Sequence, residues 1–100
     1  MITLALFVRL EALPGQEAAA EQFLHAALAM ANDEATTPIW FALKLSPTTF
    51  GVFDAFHDEA GRQRHLSGPI AQALMSKGPE LFAFPLNIES VEVLGLKNAA

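Results

Sequence analysis

Residues 2–11, ITLALFVRLE, alternate as a β-strand does, yet neither of their two faces is plainly polar. Ile2, Leu4, Leu6, Val8 and Leu10 fall on one side, and Thr3, Ala5, Phe7, Arg9 and Glu11 on the other. The same is true of TFGVFDAFH (49–57). There Phe50, Val52, Asp54 and Phe56 share one face, and Gly51, Phe53, Ala55 and His57 share the other. An antiparallel sheet ordinarily packs one face on a core and leaves the other wet. Strands that are apolar on both sides need two covers. A chain of 100 residues has material for one domain only, so at least one of those covers is hard to find within it.

The segments between the strands supply the first cover. Pro14-Gly15 breaks the opening strand. Residues 16–33 are rich in Ala, Glu, Gln, Leu and Met, all good helix formers. Their apolar positions (Ala20, Phe23, Leu24, Ala27, Leu28, Met30, Ala31) recur at three- and four-residue spacing. Thr36-Thr37-Pro38 closes that helix. PIWFALKLS (38–46) and the strand 49–57 then read as a hairpin across Ser46-Pro47-Thr48. Asp58 is placed to cap a short helix over 59–66. Ser67-Gly68-Pro69 interrupts it, and a further helix is expected over 70–77, resuming through Glu80–Phe84. Pro85 opens a last strand within LNIESVEVLGLK (86–97).

The order is β-α-β-β-α-(α)-β. It predicts an α+β, ferredoxin-like fold with a four-stranded antiparallel sheet and helices on one face, as a single domain over 1–100. The second sheet face, with Phe7, Phe53, Ala55, Val91 and Val93, is still uncovered. Two such sheets packed face to face would bury it, which predicts a homodimer of the dimeric α+β barrel type. The composition agrees: 52% of residues are apolar and only 17% charged, rich for a small monomer.

Other classes are disfavoured. The formal charge is −5, and Arg9, Lys44, Arg62, Arg64, Lys77 and Lys97 are too scattered for a nucleic-acid footprint. Cysteine is absent, which removes disulfides, thiolate nucleophiles and Cys-ligated metals. No apolar run approaches the roughly 20 residues of a membrane helix. Arg9 and Glu11 interrupt the first apolar stretch and no basic segment precedes it, so it reads as a strand and the protein is expected in the cytoplasm. His57 and His65 are not at metal-ligand spacing, the glycines do not cluster into a phosphate loop, and no GxSxG motif occurs. Neither a metal nor a cofactor is expected.

A few polar residues remain as candidates for chemistry. His65 falls at the end of the short helix beside the Ser67-Gly68-Pro69 break, where a neutral imidazole can take a proton from a phenol or enol. Its alternative role is to bond a helix-end carbonyl. Asp54 lies in a strand of Phe, Val and Ala and must be paired if it faces inward. It would either orient His65 or form a salt bridge with Arg9, Arg62 or Arg64. Trp40, the only tryptophan, offers a stacking surface for a flat substrate or a packing residue for the core. His25 and His57 read as surface or seam residues.

The stretch FGVFDAFHDEAGRQRHLSGPIAQAL (50–74) resembles the antibiotic biosynthesis monooxygenase family of dimeric α+β barrels. The features that carry the resemblance are Asp54 and Phe56 on the strand, Asp58-Glu59-Ala60 at the helix start and His65 beyond. Pro14-Gly15-Gln16-Glu17 before an Ala-rich helix adds to it. The family more often has Glu and Trp where this chain has Asp54 and Phe56. The resemblance implies an obligate homodimer with a pocket in each protomer between the sheet and its own helices. It also implies oxygenation of a small aromatic phenol or quinol without metal or flavin, with His65 and Asp54 catalytic and Trp40, Phe56, Val8 and Met75 against the substrate. The alternative is a non-catalytic small-molecule binder or stress-response protein on the same scaffold. Heme-cleaving members carry Asn, Trp and His where this chain has Val8, His65 and Met75, so the resemblance does not extend to that reaction.

Overall fold

The computed structural model describes residues 1–97, so the last three residues of the expected 1–100 domain lie outside the described residues. The elements are β1 (Leu4–Glu11), α1 (Glu17–Asn32), β2 (Ile39–Lys44), β3 (Thr49–Phe56), α2 (Glu59–Leu66), α3 (Pro69–Lys77), a 3-10 turn at Gly78–Glu80 and β4 (Asn87–Glu92). The four strands form one antiparallel sheet in the order β2-β3-β1-β4. This is the α+β, ferredoxin-like arrangement that the element order predicts.

Local chemistry sets most of the boundaries. Gly15 takes the left-handed backbone (φ +84°) that lets the chain reverse between β1 and α1. In the hairpin turn, Ser46 Oγ accepts from the backbone N–H groups of Thr48 and Thr49. These bonds end β2 at Lys44, two residues short of the expected limit. The Asp58 side chain accepts from Gly61 N at 2.8 Å and starts α2 where the sequence places it. Pro69 occupies the first turn of α3.

The expected helix through Glu80–Phe84 does not form. The chain makes only the 3-10 turn, after which Leu81 and Phe82 turn into the core. Phe82 meets Phe23 of α1 edge to face, with ring centroids 6.1 Å apart, and its backbone bridges to Ala12. Burying two large side chains outweighs one more helical turn in a segment flanked by Pro79 and Pro85.

Register divides the sheet into two faces. Leu6, Leu10, Phe50, Asp54 and Phe56 point to the helices and are fully buried, and Val52, on the same face, is buried too. With Ala20, Leu24, Leu81 and Phe82 they make the main core. The opposite face carries Phe7, Ile39, Phe41, Leu43, Phe53 and Val91. Phe7 lies across Gly51, where an added Cβ would stand 3.2 Å from its ring. Among the described residues no helix covers this face, and Phe41 is 55% exposed. β4 is shorter than the expected 86–97. One more backbone bond, Val93 N to Thr3 O, follows it, and Leu94 and Leu96 then lie exposed.

Candidate functional site

A buried cluster of charge lies where β3, α2 and the loop after α1 meet. Asp54 sits mid-strand on the helix-facing side of β3, flanked across the sheet by Leu6 of β1 and Trp40 of β2. Its side chain is 1% exposed. His65, on the last turn of α2, reaches down to it: Nε2 donates to Asp54 Oδ2 at 2.8 Å. On the other side of the ring, Nδ1 donates to Glu34 Oε1 at 2.7 Å. Glu34 stands in the α1–β2 loop, and its Oε1 also accepts from the Thr37 hydroxyl at 2.8 Å. The Phe56 ring covers the imidazole with centroids 5.5 Å apart.

This geometry fixes the charge on the ring. Burial alone would push the His65 pKa down. The hydrogen bond and charge of Asp54, followed by those of Glu34, outweigh it and raise the pKa from 6.5 to about 9. At neutral pH His65 is therefore an imidazolium with both N–H groups engaged, not the neutral base expected from the sequence. Three atoms around it are buried and have no hydrogen-bond partner among the described residues: Asp54 Oδ1, Glu34 Oε2 and Trp40 Nε1. Among the described residues, no group of three His, Asp or Glu side chains is arranged to hold a metal ion.

The sequence candidates separate in space. Asp54 and His65 are bonded to each other, the Phe56 ring lies tilted against His65, and Trp40 opposes Asp54. Asp54 has taken the histidine rather than an arginine. Arg9 is on the far sheet face opposite Gly51, and Arg62 is held by Glu59 at 2.7 Å. Val8 is half-buried on the inner face and packs against the core, whereas Met75 on α3 is 64% exposed. His25 and His57 are exposed. Glu34 was not foreseen, because nothing in Asn32-Asp33-Glu34 marks one acid from its neighbour and its partner lies 31 positions away.

A cavity of 160 Å³ does lie between the sheet and α1, but at the β2 edge, against Leu24, His25, Ala42, Lys44 and Phe50. A second, of 460 Å³, opens between α1 and the 3-10 turn, beside Phe23, Lys77 and Leu81. Neither is lined by His65, Asp54 or Trp40.

No protein-family model and no curated protein matches this chain. Among solved structures, the NE2512 protein of unknown function from Nitrosomonas europaea is 62% identical, with a TM-score of 0.96 over 100% of this chain and 97% of that one. The chain belongs to the NE2512 family. That relative's function is unknown, so the identity carries a fold and no activity. More distant structures include a "putative antibiotic biosynthesis monooxygenase" from Nitrosomonas europaea (13% identity, TM-score 0.81, 92% of this chain and 90% of that one). Another protein so described, from Deinococcus radiodurans, is 19% identical, with a TM-score of 0.76 over 97% and 98%. The NE2512-family chain thus has the antibiotic-biosynthesis-monooxygenase type of ferredoxin-like fold. Among the described residues, no helix is long and apolar enough to cross a membrane.

Proposed function

We propose that this protein is a cofactor-independent monooxygenase acting on a small aromatic phenol or quinol, with the Asp54–His65 pair as its proton acceptor. The observation that carries this reading is the imidazole held between two carboxylates inside an apolar interior. A phenol hydroxyl has a pKa of about 10, as in tyrosine. A lone carboxylate is too weak a base for that proton, and a histidine of about 9 is well matched. Asp54 bridges the two: with His65 neutral, the substrate hydroxyl gives its proton to the Asp54 carboxylate, and that same proton passes on to Nε2 of His65, leaving the carboxylate ionised as before. The electron-rich anion transfers one electron to O₂, and the radical pair joins as a hydroperoxide at a ring C–H carbon. Loss of water leaves a carbonyl there. In sum, a phenol and O₂ become a quinone and H₂O.

The reactive form is His65 without its extra proton, about 1% of molecules at pH 7. Oxygen uptake with a panel of phenols and quinols should therefore rise about tenfold per pH unit up to about 9. In Asp54→Asn, with its fold checked by circular dichroism, it should fall by about a hundredfold or more. Absence of uptake above the buffer rate, or an undiminished rate in the variant, would refute the reading. The position of the 160 Å³ cavity, away from the triad, favours a second reading, a small-molecule binder without turnover. Aromatic ligands that raise thermal stability while no oxygen is consumed would select it. The apolar outer sheet face supports a homodimer in either case, each copy covering the other's Phe41 and Phe53, and the proposed compartment is the cytoplasm.

A further inference from the structure

The two carboxylates that hold His65 differ in what lies behind them. Asp54 is fixed mid-strand between β1 and β2, and its side chain is almost wholly buried. A proton on Asp54 is as buried as the carboxylate that carries it. Glu34 is carried by the α1–β2 loop, between the exposed Asp33 and Ala35, and its side chain is 12% exposed. Its head is nonetheless folded inward. Oε1 accepts from His65 Nδ1 and from the Thr37 hydroxyl, while Oε2 is buried with no partner among the described residues. A buried carboxylate oxygen without a donor is costly to keep in place. The α2–α3 junction beside it presents a glycine: a Cβ added at Gly68 would stand 3.5 Å from Oε2. Ser67 and Pro69, on either side of that glycine, are exposed. Glu34 is thus a long, rotatable side chain rooted at the surface, with one oxygen open and a residue without a side chain next to it. Asp54 shares the open oxygen but not the surface root.

We propose that Glu34 is the proton gate of this buried site: it takes the Nδ1 proton of His65, rotates toward the loop surface, exchanges that proton with water and returns as a carboxylate. The imidazolium loses the proton from Nδ1 as Glu34 Oε1 gains it, so an ion pair becomes a neutral pair across one 2.7 Å hydrogen bond. The neutral acid is no longer held by a charge-assisted bond, which frees it to rotate. Asp54 from β3 and Glu34 from the loop are the charged groups bonded to the ring, and Phe56 covers it with carbon. Asp54 is the fixed partner and Glu34 the moving one. Glu34 touches no substrate and acts through His65, as a positioning residue for the proton and not a catalytic one. The gate rests on the oxygenase reading for its catalytic meaning. A proton passed by Asp54 to Nε2 lets the one on Nδ1 leave through Glu34, and the reverse flow supplies the proton that completes the hydroperoxide. The exchange itself needs no substrate.

NMR of protein labelled with ¹⁵N-histidine follows it directly. The ring protons of His65 are buried and hydrogen-bonded, whereas those of the exposed His25 and His57 are lost to fast exchange. At neutral pH, Nδ1–H should exchange with water faster than Nε2–H. In Glu34→Gln the ring keeps an acceptor on Nδ1, but an amide cannot carry the proton away. Exchange at Nδ1 should then slow by about a hundredfold. The sign is decisive. Removing a negative charge beside the ring loosens its proton, so a Glu34 that merely holds the ring in place would give faster exchange in the variant. In Thr37→Val, which frees Oε1 of its second donor, exchange at Nδ1 should quicken and exchange at Nε2 stay as it is. Undiminished exchange in Glu34→Gln overturns the gate. So does a native protein in which Nε2–H exchanges the faster, or a Thr37→Val in which both protons quicken together. Slowed exchange in Glu34→Gln, in a protein that consumes no oxygen with any phenol, upholds the gate and sinks the oxygenase. Oxygen uptake with undiminished exchange does the reverse.

Discussion

Raising the pH through the interval between about 6.5 and about 9 should weaken this fold through the deprotonation of one residue. His65 titrates near 6.5 in the unfolded chain and near 9 in the folded one. Below 6.5 both states hold the proton, and the stabilisation from the two carboxylates is fully present. Between the two values only the folded state holds it. Stability then falls by about 1.4 kcal/mol per pH unit, and about 3 kcal/mol is lost once the folded pKa is passed. Against a typical total of about 5–15 kcal/mol that is a large share. Urea unfolding at fixed protein concentration, in half-unit steps from about pH 6 to about pH 9.5, measures it directly. The control is Glu34→Gln, which keeps an acceptor for Nδ1 but removes one of the two charges. Its curve should bend at lower pH, while the exposed His25 and His57 are common to both proteins. A stability that is flat or rising across the interval would show that the ring is not held as an imidazolium, and the proton-bridge mechanism would fall with it.

Two further substitutions probe the frame around the site. At Gly61 an added Cβ would stand 3.0 Å from the Thr36 carbonyl, in the loop that presents Glu34 and Thr37. Gly61→Ala should cost about 1–3 kcal/mol in thermal or urea unfolding and lower the His65 midpoint seen by NMR, because the loop has to retreat. Phe41→Glu places a charge on the outer sheet face, where the aromatic ring is 55% exposed in the single chain. Sedimentation should show a dimer becoming a monomer of unchanged circular dichroism, and a native protein that is already monomeric at micromolar concentration would refute the face-to-face packing.

How far the sequence reveals such a site depends on the range of the signal. α2 was legible to the residue because Asp58 caps it from one side and Ser67-Gly68 stops it on the other, both local effects. The hairpin was legible because two strand-like runs flank the turn signal Ser46-Pro47-Thr48, whose Ser46 side chain binds the turn locally. The turn after α3 was not, since Leu81 and Phe82 look like the next turn of a helix until Phe23, far away in the chain, is there to receive them. The site divides in the same manner. Asp54 is conspicuous as a carboxylate inside an apolar strand, and that alone demands a partner. Which partner it takes is a matter of topology: α2 crosses the inner face of β3, while Arg9 points to the outer one. Glu34 is invisible for a further reason. A loop acid beside Asp33 has no periodicity to break and no apolar neighbours to offend, so its role exists only once the fold has brought the α1–β2 loop to the end of α2. Asp54 contributes most to holding the proton on His65 and Glu34 adds to it, so two carboxylates face a single imidazole. The charge at this site therefore rests on two acids, of which the sequence displays only Asp54, and a reading that treats His65 as a free base assigns the ring the wrong charge at neutral pH.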